Sequence, residues 1–275
     1  MIYSLENITK SYQSRNGAER ALDGLTFNVQ PVERVALLGP SGAGKTTLFR
    51  LLNATLRPTS GMLQFDGNDV SAMSSRDLRQ MRRRIGTIYQ QHQLVPSLSA
   101  LDNTLCGKLG SWSLLETVRN VALPKKSDAK RAMAALESVG LADKHRARAD
   151  ELSGGQQQRL TIARVLMQDP DVILADEPFA SLDPALTETI ATLLLGLAQN
   201  GKRTLVATLH DVDLALRYFP RIIALRNARI VFDKLTSEVS REDLTSLYAG
   251  DSDLAPLVDS EIKEHSEFSK QHRAP

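Results

Sequence analysis

A chain of 275 residues with 34 Lys and Arg against 32 Asp and Glu carries a formal charge of only +2, so its balance demands neither a nucleic acid nor an anionic membrane as partner. That length can bury a full core and suggests one or two domains. A single cysteine, Cys106, excludes an internal disulfide framework and suits a reducing compartment. The longest apolar run, around Leu193 to Ala198, falls far short of the roughly eighteen residues of a spanning helix. Met1 to Asn7 lacks a basic start followed by an apolar core, so no secretory leader is expected there.

Ile2 to Ile8 alternates apolar and polar residues, Gln13 to Glu19 is rich in turn formers, and Leu25 to Val29 alternates again. The pattern predicts two strands joined by a polar hairpin. Tyr12, at the lip of the first strand, is placed either to stack on a base or to pack at a strand end. Arg34 to Leu38 predicts a short buried strand and Lys45 to Leu56 a helix. Between them Gly39-Pro40-Ser41-Gly42-Ala43-Gly44-Lys45-Thr46 matches a glycine, any four residues, then Gly-Lys-Ser/Thr. Strand, glycine loop and helix make an anion site, because unpaired N–H groups and the helix dipole face whatever fills the loop. These residues, with Thr47 behind them, form a candidate phosphate cradle. Lys45 would place a point charge on β- and γ-phosphates, and the Thr46 hydroxyl would ligate magnesium.

Pro58 to Gly61 reads as a turn, Met62 to Phe65 as a strand and Arg76 to Arg84 as a basic helical segment. Its Arg82-Arg83-Arg84 run reads as a solvated helix end rather than a nucleic-acid contact. Ile85 to Tyr89 predicts a buried strand that delivers Gln90. Residues 91 to 150 then change character: strand-like runs vanish and helical spacing takes over in Lys130 to Val139, closed by Gly140. This predicts a helical subdomain inserted into an α/β core; Leu109 to Leu123, with Trp112, receives no assignment.

Leu152-Ser153-Gly154-Gly155-Gln156 opens a helix over Gln157 to Met167. It is either a second anion site or an ordinary helix start capped by Ser153. Asp171 to Ala175 predicts a strand closing on Asp176-Glu177-Pro178. Two acids at a buried strand end are costly unless used: Asp176 suits a divalent cation, and Glu177 can take a proton from water. Solvated loop acids are the alternative. Asp183 is a natural cap for a helix with Pro184 at its first position and Gly201 past its end. Arg203 to Thr208 predicts a strand ending at Leu209-His210-Asp211, where an open α/β sheet binds ligands, although a lone histidine also serves structural roles. Ile222 to Leu225 and Arg229 to Asp233 read as a hairpin around Asn227-Ala228, and the polar stretch from Asp251 is expected to be loosely ordered.

Taken in this order the pieces resemble the ATP-binding subunit of an ABC transporter over residues 2 to about 248. The run at Leu152 to Gln156, placed between the phosphate loop and Asp176-Glu177, carries most of that resemblance. It implies an α/β P-loop NTPase (RecA-like) core with an antiparallel β subdomain and an inserted α-helical subdomain at about residues 91–160, in a nucleotide-binding domain of residues 1–248 before a polar tail of residues 249–275. It implies ATP and Mg2+ as cofactors, with Thr46, Gln90 and Asp176 toward the metal. By the same resemblance Tyr12 stacks on adenine, Gln90 is a lid glutamine, Glu177 polarises water, His210 holds the γ-phosphate and Asp183 lies at a dimer contact. Two copies would face head to tail, Ser153, Gly154, Gly155 and Gln156 of one closing over the γ-phosphate held by the other.

Integral-membrane permease subunits, and indirectly a periplasmic or surface solute-binding protein, are the implied partners; no nucleic acid is expected. The location implied is peripheral, at the cytoplasmic face of the inner membrane. Three glutamines before Arg159, the run Ala180 to Pro184, and Gly107-Lys108-Leu109-Gly110 followed by Trp112 look most like phosphonate-type importers. Another import or lipoprotein-release system, and a soluble ABC ATPase without a permease, are the alternatives. Gln90 with His92, Leu94, Val95 and Leu98 is the expected docking surface for a permease helix.

Overall fold

The computed structural model describes residues 1–14, 17–180 and 182–248. In chain order the elements are β1 (Tyr3–Ser14), β2 (Gly17–Val29), β3 (Arg34–Leu38), α1 (Lys45–Leu52), β4 (Ser60–Phe65), β5 (Asn68–Asp69), α2 (Ser75–Arg83) and β6 (Ile85–Ile88). Then come α3 (Ala100–Leu105), α4 (Leu114–Ala122), α5 (Lys126–Ser138), α6 (Gly154–Gln168), β7 (Val172–Asp176) and α7 (Pro184–Asn200). β8 (Thr204–Leu209), α8 (Val212–Tyr218), β9 (Arg221–Arg226), β10 (Arg229–Leu235) and α9 (Arg241–Tyr248) complete the series.

Two sheets result. An antiparallel sheet runs β2-β1-β4-β5, and a 6-stranded sheet runs β10-β9-β3-β8-β7-β6. In the larger sheet the pairs from β9 through β3, β8 and β7 to β6 are parallel, and β10 closes one edge antiparallel. Successive side chains of a strand point to opposite faces, so a strand buried on both sides reads as a continuous apolar run. β3 shows this directly: Val35 and Leu37 join a core made with β1, β2, β4 and α1, whereas Ala36 and Leu38 join one made with α5, α6, α7 and α8. On that second face Ala36, Ala207 and Ala175 lie side by side across β3, β8 and β7. Their small side chains leave room for the helices to sit close to the sheet. Between β6 and β7 the described regular elements are all helical. Among the described residues no helix is long and apolar enough to cross a membrane.

Several boundaries differ from the sequence expectation for identifiable reasons. α1 ends at Leu52, not Leu56, because Asn53 caps it and its side chain accepts from the Thr55 N–H at 3.0 Å while Ala54 turns left-handed at φ 55. The unassigned stretch around Trp112 contains α4, opened by a reciprocal capping box between Ser113 and Glu116. α5 begins at Lys126, ahead of the expected Lys130. The arginine run is not simply a solvated helix end: Arg82 donates to the Ala54 carbonyl oxygen at 2.6 Å, and Arg84 pairs with Asp171 at 2.6 Å and Asp66 at 2.9 Å. The polar tail, the hairpin tip at residues 15–16 and Ser181 lie outside the described residues.

Candidate active site

Three adjacent parallel strands set the site. In register, Leu37 of β3 faces Thr208 of β8, and Thr208 faces Asp176 of β7. Their carboxyl ends therefore release the phosphate loop, His210 and Asp176-Glu177 at one edge, where ligands of open α/β sheets bind.

The loop is shaped by close backbone approach. Gly44 has φ 105, and a Cβ there would come within 2.5 Å of the Ala21 carbonyl oxygen and 2.9 Å of Leu22 Cδ2, so only glycine fits. As the first cap of α1 it offers no side-chain acceptor, whereas the starts of α2, α3, α6, α7 and α8 are capped by Ser74, Ser99, Ser153, Asp183 and Asp211. The first N–H groups of α1 are thus left for an anion. Lys45 is 6% exposed, and its ammonium donates to the carbonyl oxygens of Gly39 at 2.5 Å and Pro40 at 3.0 Å. Burial depresses its pKa, and the nearby carboxylates of Glu177 and Asp176 pull it back. A buried cation resting on the carbonyls of its own loop fits a polyanionic ligand. Ser41, Gly42 and Thr46 are exposed and Thr47 half-buried at the loop mouth, while Ala43 packs inward.

Thr208, which the sequence reading did not single out, ties the two acids together. Its fully buried hydroxyl donates to Asp176 Oδ1 at 2.7 Å and accepts from the Glu177 N–H at 3.0 Å. Glu177 has φ 46, an uncommon conformation for a non-glycine residue, and this N–H bond helps to hold it. Glu177 Oε2 lies 3.9 Å from His210 Nδ1. Gln158, 3% exposed, was also missed; its amide donates to the Pro178 carbonyl oxygen at 3.0 Å, linking α6 to the peptide after Glu177.

Gln90, Ser153, Gly154, Gly155, Gln156, Glu177 and Asp183 are brought together around one cleft of about 580 Å³. His210 and Glu177 share an adjoining cleft of about 380 Å³. Within one chain Ser153 behaves as a helix cap: its hydroxyl accepts from the Gln156 N–H at 3.4 Å, and Gln156 Oε1 accepts from the Ser153 N–H at 2.9 Å. Asp183 likewise caps α7 through the Leu186 N–H at 3.0 Å. Tyr12 lines neither cleft; it lies on β1, 40% exposed, with Lys10 Nζ 5.5 Å from its ring centroid.

The expected docking residues do not share one surface. His92 and Gln93 are both left-handed (φ 43 and 47), and Arg164 donates to their carbonyl oxygens at 3.0 and 2.6 Å. That turn sends Leu94 against the core and leaves His92 in the cleft with Gln90. Leu98 is half-buried, its carbonyl accepting from the Ala149 N–H at 3.0 Å. Val95 alone of the four lines the neighbouring groove of about 880 Å³ between α2, β6 and α6. That groove is rimmed by Arg79, Arg82, Arg83, Lys108 and Arg164, none of which forms an ion pair among the described residues.

For a metal, Thr46, Gln90 and Asp176 offer a hydroxyl, an amide and a carboxylate. No group of three or more His, Cys, Asp or Glu among the described residues is placed to hold an ion. A sparse set of hard oxygens fits magnesium, which keeps waters and takes phosphate oxygens, better than an ion that needs an all-protein cage.

The ABC transporter family model (ABC_tran) matches residues 22–180. Phosphonates import ATP-binding protein PhnC of Alcaligenes faecalis is 41% identical over 255 residues, covering 93% of this chain and 90% of that protein. The protein of the same name from Anaeromyxobacter dehalogenans (strain 2CP-C) is 47% identical over 232 residues, 84% of this chain, and this chain spans 46% of its length. The dimeric structure of a post-hydrolysis state of the ATP-binding cassette MJ0796, bound to ADP and Pi, matches with a TM-score of 0.74 at 32% identity, covering 85% of this chain and 98% of that one. The α/β core is therefore that of a P-loop NTPase, with an antiparallel β subdomain and inserted helices. The chain belongs to the ABC transporter family, as an ATP-binding subunit that hydrolyses ATP.

Proposed function

We propose that this chain powers an importer of phosphonates or a related phosphorus oxyanion, as a head-to-tail pair of cassettes beneath a permease. The observation that carries the ATPase part is the meeting of an uncapped α1, buried Lys45, Asp176, Glu177 and His210 at the ends of neighbouring strands. The phosphonate part rests on the likeness to the two phosphonate-import relatives.

In the proposed mechanism the free N–H groups of the phosphate loop and of the first turn of α1 cradle the phosphates, and Lys45 leaves its loop carbonyls for them. Tyr12 stacks on adenine. Glu177, held at the strand end by Thr208, orients the attacking water and takes its proton. His210, 3.9 Å from Glu177, donates to a γ-phosphate oxygen. Thr46, Gln90 and Asp176 would hold magnesium, which when bound would neutralise charge on the phosphate oxygens. Catalysis of this kind is positioning plus charge neutralisation.

Ser153 and Gly154 are exposed at the start of α6, and this terminus of one chain closes over the γ-phosphate in the other, with Asp183 beside the seam. The dimeric state of MJ0796 supports this pairing. We assign residues 1–248 to the nucleotide-binding domain, with about 91–160 as its helical insert, and 249–275 to a tail. The cationic groove rimmed by Arg83 and Lys108, with Val95 as an apolar contact, suits an acidic, partly apolar segment of the permease. Docking there holds the chain at the cytoplasmic face of the inner membrane, with a solute-binding protein acting through the permease.

The test is reconstitution with the permease and solute-binding protein in liposomes. An alkylphosphonate should raise ATP turnover several-fold, and sulfate should not. Glu177→Gln should retain ATP while lowering turnover about 10²–10⁴-fold. Stimulation only by a ligand without phosphorus would remove the phosphonate assignment and leave the ATPase standing. Undiminished turnover in Glu177→Gln would remove Glu177 as the base.

A further inference from the structure

The histidine at the end of β8 is held from a direction that the active-site residues do not supply. The carbonyl of His210 lies just past the last residue of the β8 ladder, where Leu209 pairs with Leu38. Its oxygen accepts a hydrogen bond of 3.1 Å from the hydroxyl of Tyr248, 38 positions later and on the last turn of α9. Tyr248 is 5% exposed, and with Leu244 and Leu247 its ring is part of the core beneath the central sheet. α9 is in turn fastened to the edge of that sheet. Lys234 of β10 donates to both oxygens of Asp243 at 2.8 Å, and Arg226 of β9 donates to the Ser246 carbonyl oxygen at 2.5 Å.

The opposite side of the same turn is fixed by Asp211, whose carboxylate accepts from the Leu214 N–H at 3.0 Å and starts α8. His210 thus has its peptide clamped between a helix cap and a buried phenol, while its imidazole, 61% exposed, projects toward Glu177. An exposed ring on a fixed peptide has only its side-chain torsions left to order when it meets a ligand, which is how a remote group lowers a barrier without touching the reacting atoms.

We propose that Tyr248 is a positioning residue for ATP hydrolysis, its hydroxyl fixing the His210 peptide so that the imidazole meets the γ-phosphate. This rests on the reading above that His210 contacts that phosphate. The helix that follows the last strand is then part of the catalytic apparatus through one hydrogen bond, although it reaches no ligand.

The experiment is a double-mutant cycle on the full chain with Tyr248→Phe and His210→Ala, measured as kcat, KM for ATP and thermal midpoint. Tyr248→Phe keeps the ring in the core and removes only the hydroxyl, so the midpoint should shift little. We expect kcat to fall about three- to tenfold, the range of one intramolecular hydrogen bond, with KM unchanged. In the His210→Ala background, followed by single-turnover assays over hours, the same change should have no further effect, because the group being positioned is gone. Unchanged kcat in Tyr248→Phe overturns the proposal. So does an equal fold-loss in both backgrounds, which would make Tyr248 act by another route. Full activity in His210→Ala alone removes the role of His210 itself, and the proposal falls with it. A Tyr248→Leu variant, which loses ring and hydroxyl together, should show the same kcat loss plus a lower midpoint; a lower midpoint with normal kcat also overturns it.

Discussion

Replacing Thr208 with valine preserves shape and removes one oxygen, and that oxygen serves both acids of the site. The Glu177 N–H, bonded to it at 3.0 Å, is left without its partner, and an unsatisfied backbone donor costs about 1–3 kcal/mol. Asp176 loses a donor at 2.7 Å, a bond to a charged group that contributes about 1.5–3 kcal/mol. Asp176 is only half-buried, so water recovers part of the second loss, and the sum is about 2–4 kcal/mol. For a chain of this size each kcal/mol moves the thermal midpoint by about 2–4 °C, which places the expected drop at about 5–15 °C. Activity should fall as well, by about tenfold or more in kcat, because Glu177 at φ 46 loses a bond that holds its backbone. Thr208→Ser keeps the hydroxyl, gives up one methyl worth about 1 kcal/mol, and should restore most of the turnover. The assays are calorimetry and steady-state ATP hydrolysis on the three proteins side by side. A valine variant that melts and turns over like the parent would show that the hydroxyl does not organise the two acids.

Two further outcomes follow from the geometry. Ser153→Arg should leave ATP binding to the monomer intact but block turnover; mixed with Lys45→Ala it should recover part of the activity, because one site of the mixed dimer keeps both unmutated halves. No recovery, with mixed dimers shown to form, would refute sites shared between chains. The hydrogen bonds from Lys234 to Asp243, helped by Ser240, hold that carboxyl down at about 2, below its ordinary value of about 4. Its stabilising contribution is therefore complete above pH ~4 and lost as pH falls through about 2, so the acid limb of the thermal midpoint between those values should shrink in Asp243→Asn.

The site's main pieces were legible because backbone geometry imposes their spacing. A phosphate loop needs glycines at set positions before its helix, and Asp176-Glu177 end a short apolar run of the kind a buried strand leaves. Thr208 was not legible, since a threonine in an apolar strand acquires meaning only when the register sets it opposite Asp176. Gln158 was hidden in the same way, its partner Pro178 being 20 positions away. The start of α4 was legible too: Ser113 and Glu116 form a capping pair, and Leu114, Leu115, Val118, Val121 and Ala122 behind them fall at helical spacing, although the sequence reading leaves the stretch unassigned. Leu94 was placed on a docking surface by its nearness to Gln90, and the left-handed pair His92-Gln93 turns it inward instead. Conversely, apolar periodicity through Leu56 overran the real end of α1, where Asn53 competes for the backbone.

The strand order also fixes when a nascent chain can first bind nucleotide. β3, which carries the phosphate loop, has β8 and β9 as its neighbours, and both follow it by most of the chain. The Val32 N–H just ahead of β3 donates to Thr204 across 172 positions. The β1–β2 hairpin closes locally as it leaves the ribosome, but β3 waits with both edges open until Thr204–Leu209 has been made, and with one edge open until Arg221–Arg226 follows. Throughout that interval an apolar strand edge lies ready for wrong pairings, and the loop above it has no wall to lean on. Products of premature termination before β9 should accordingly be unable to retain ATP and prone to aggregate, even though every residue of the phosphate loop is present in them.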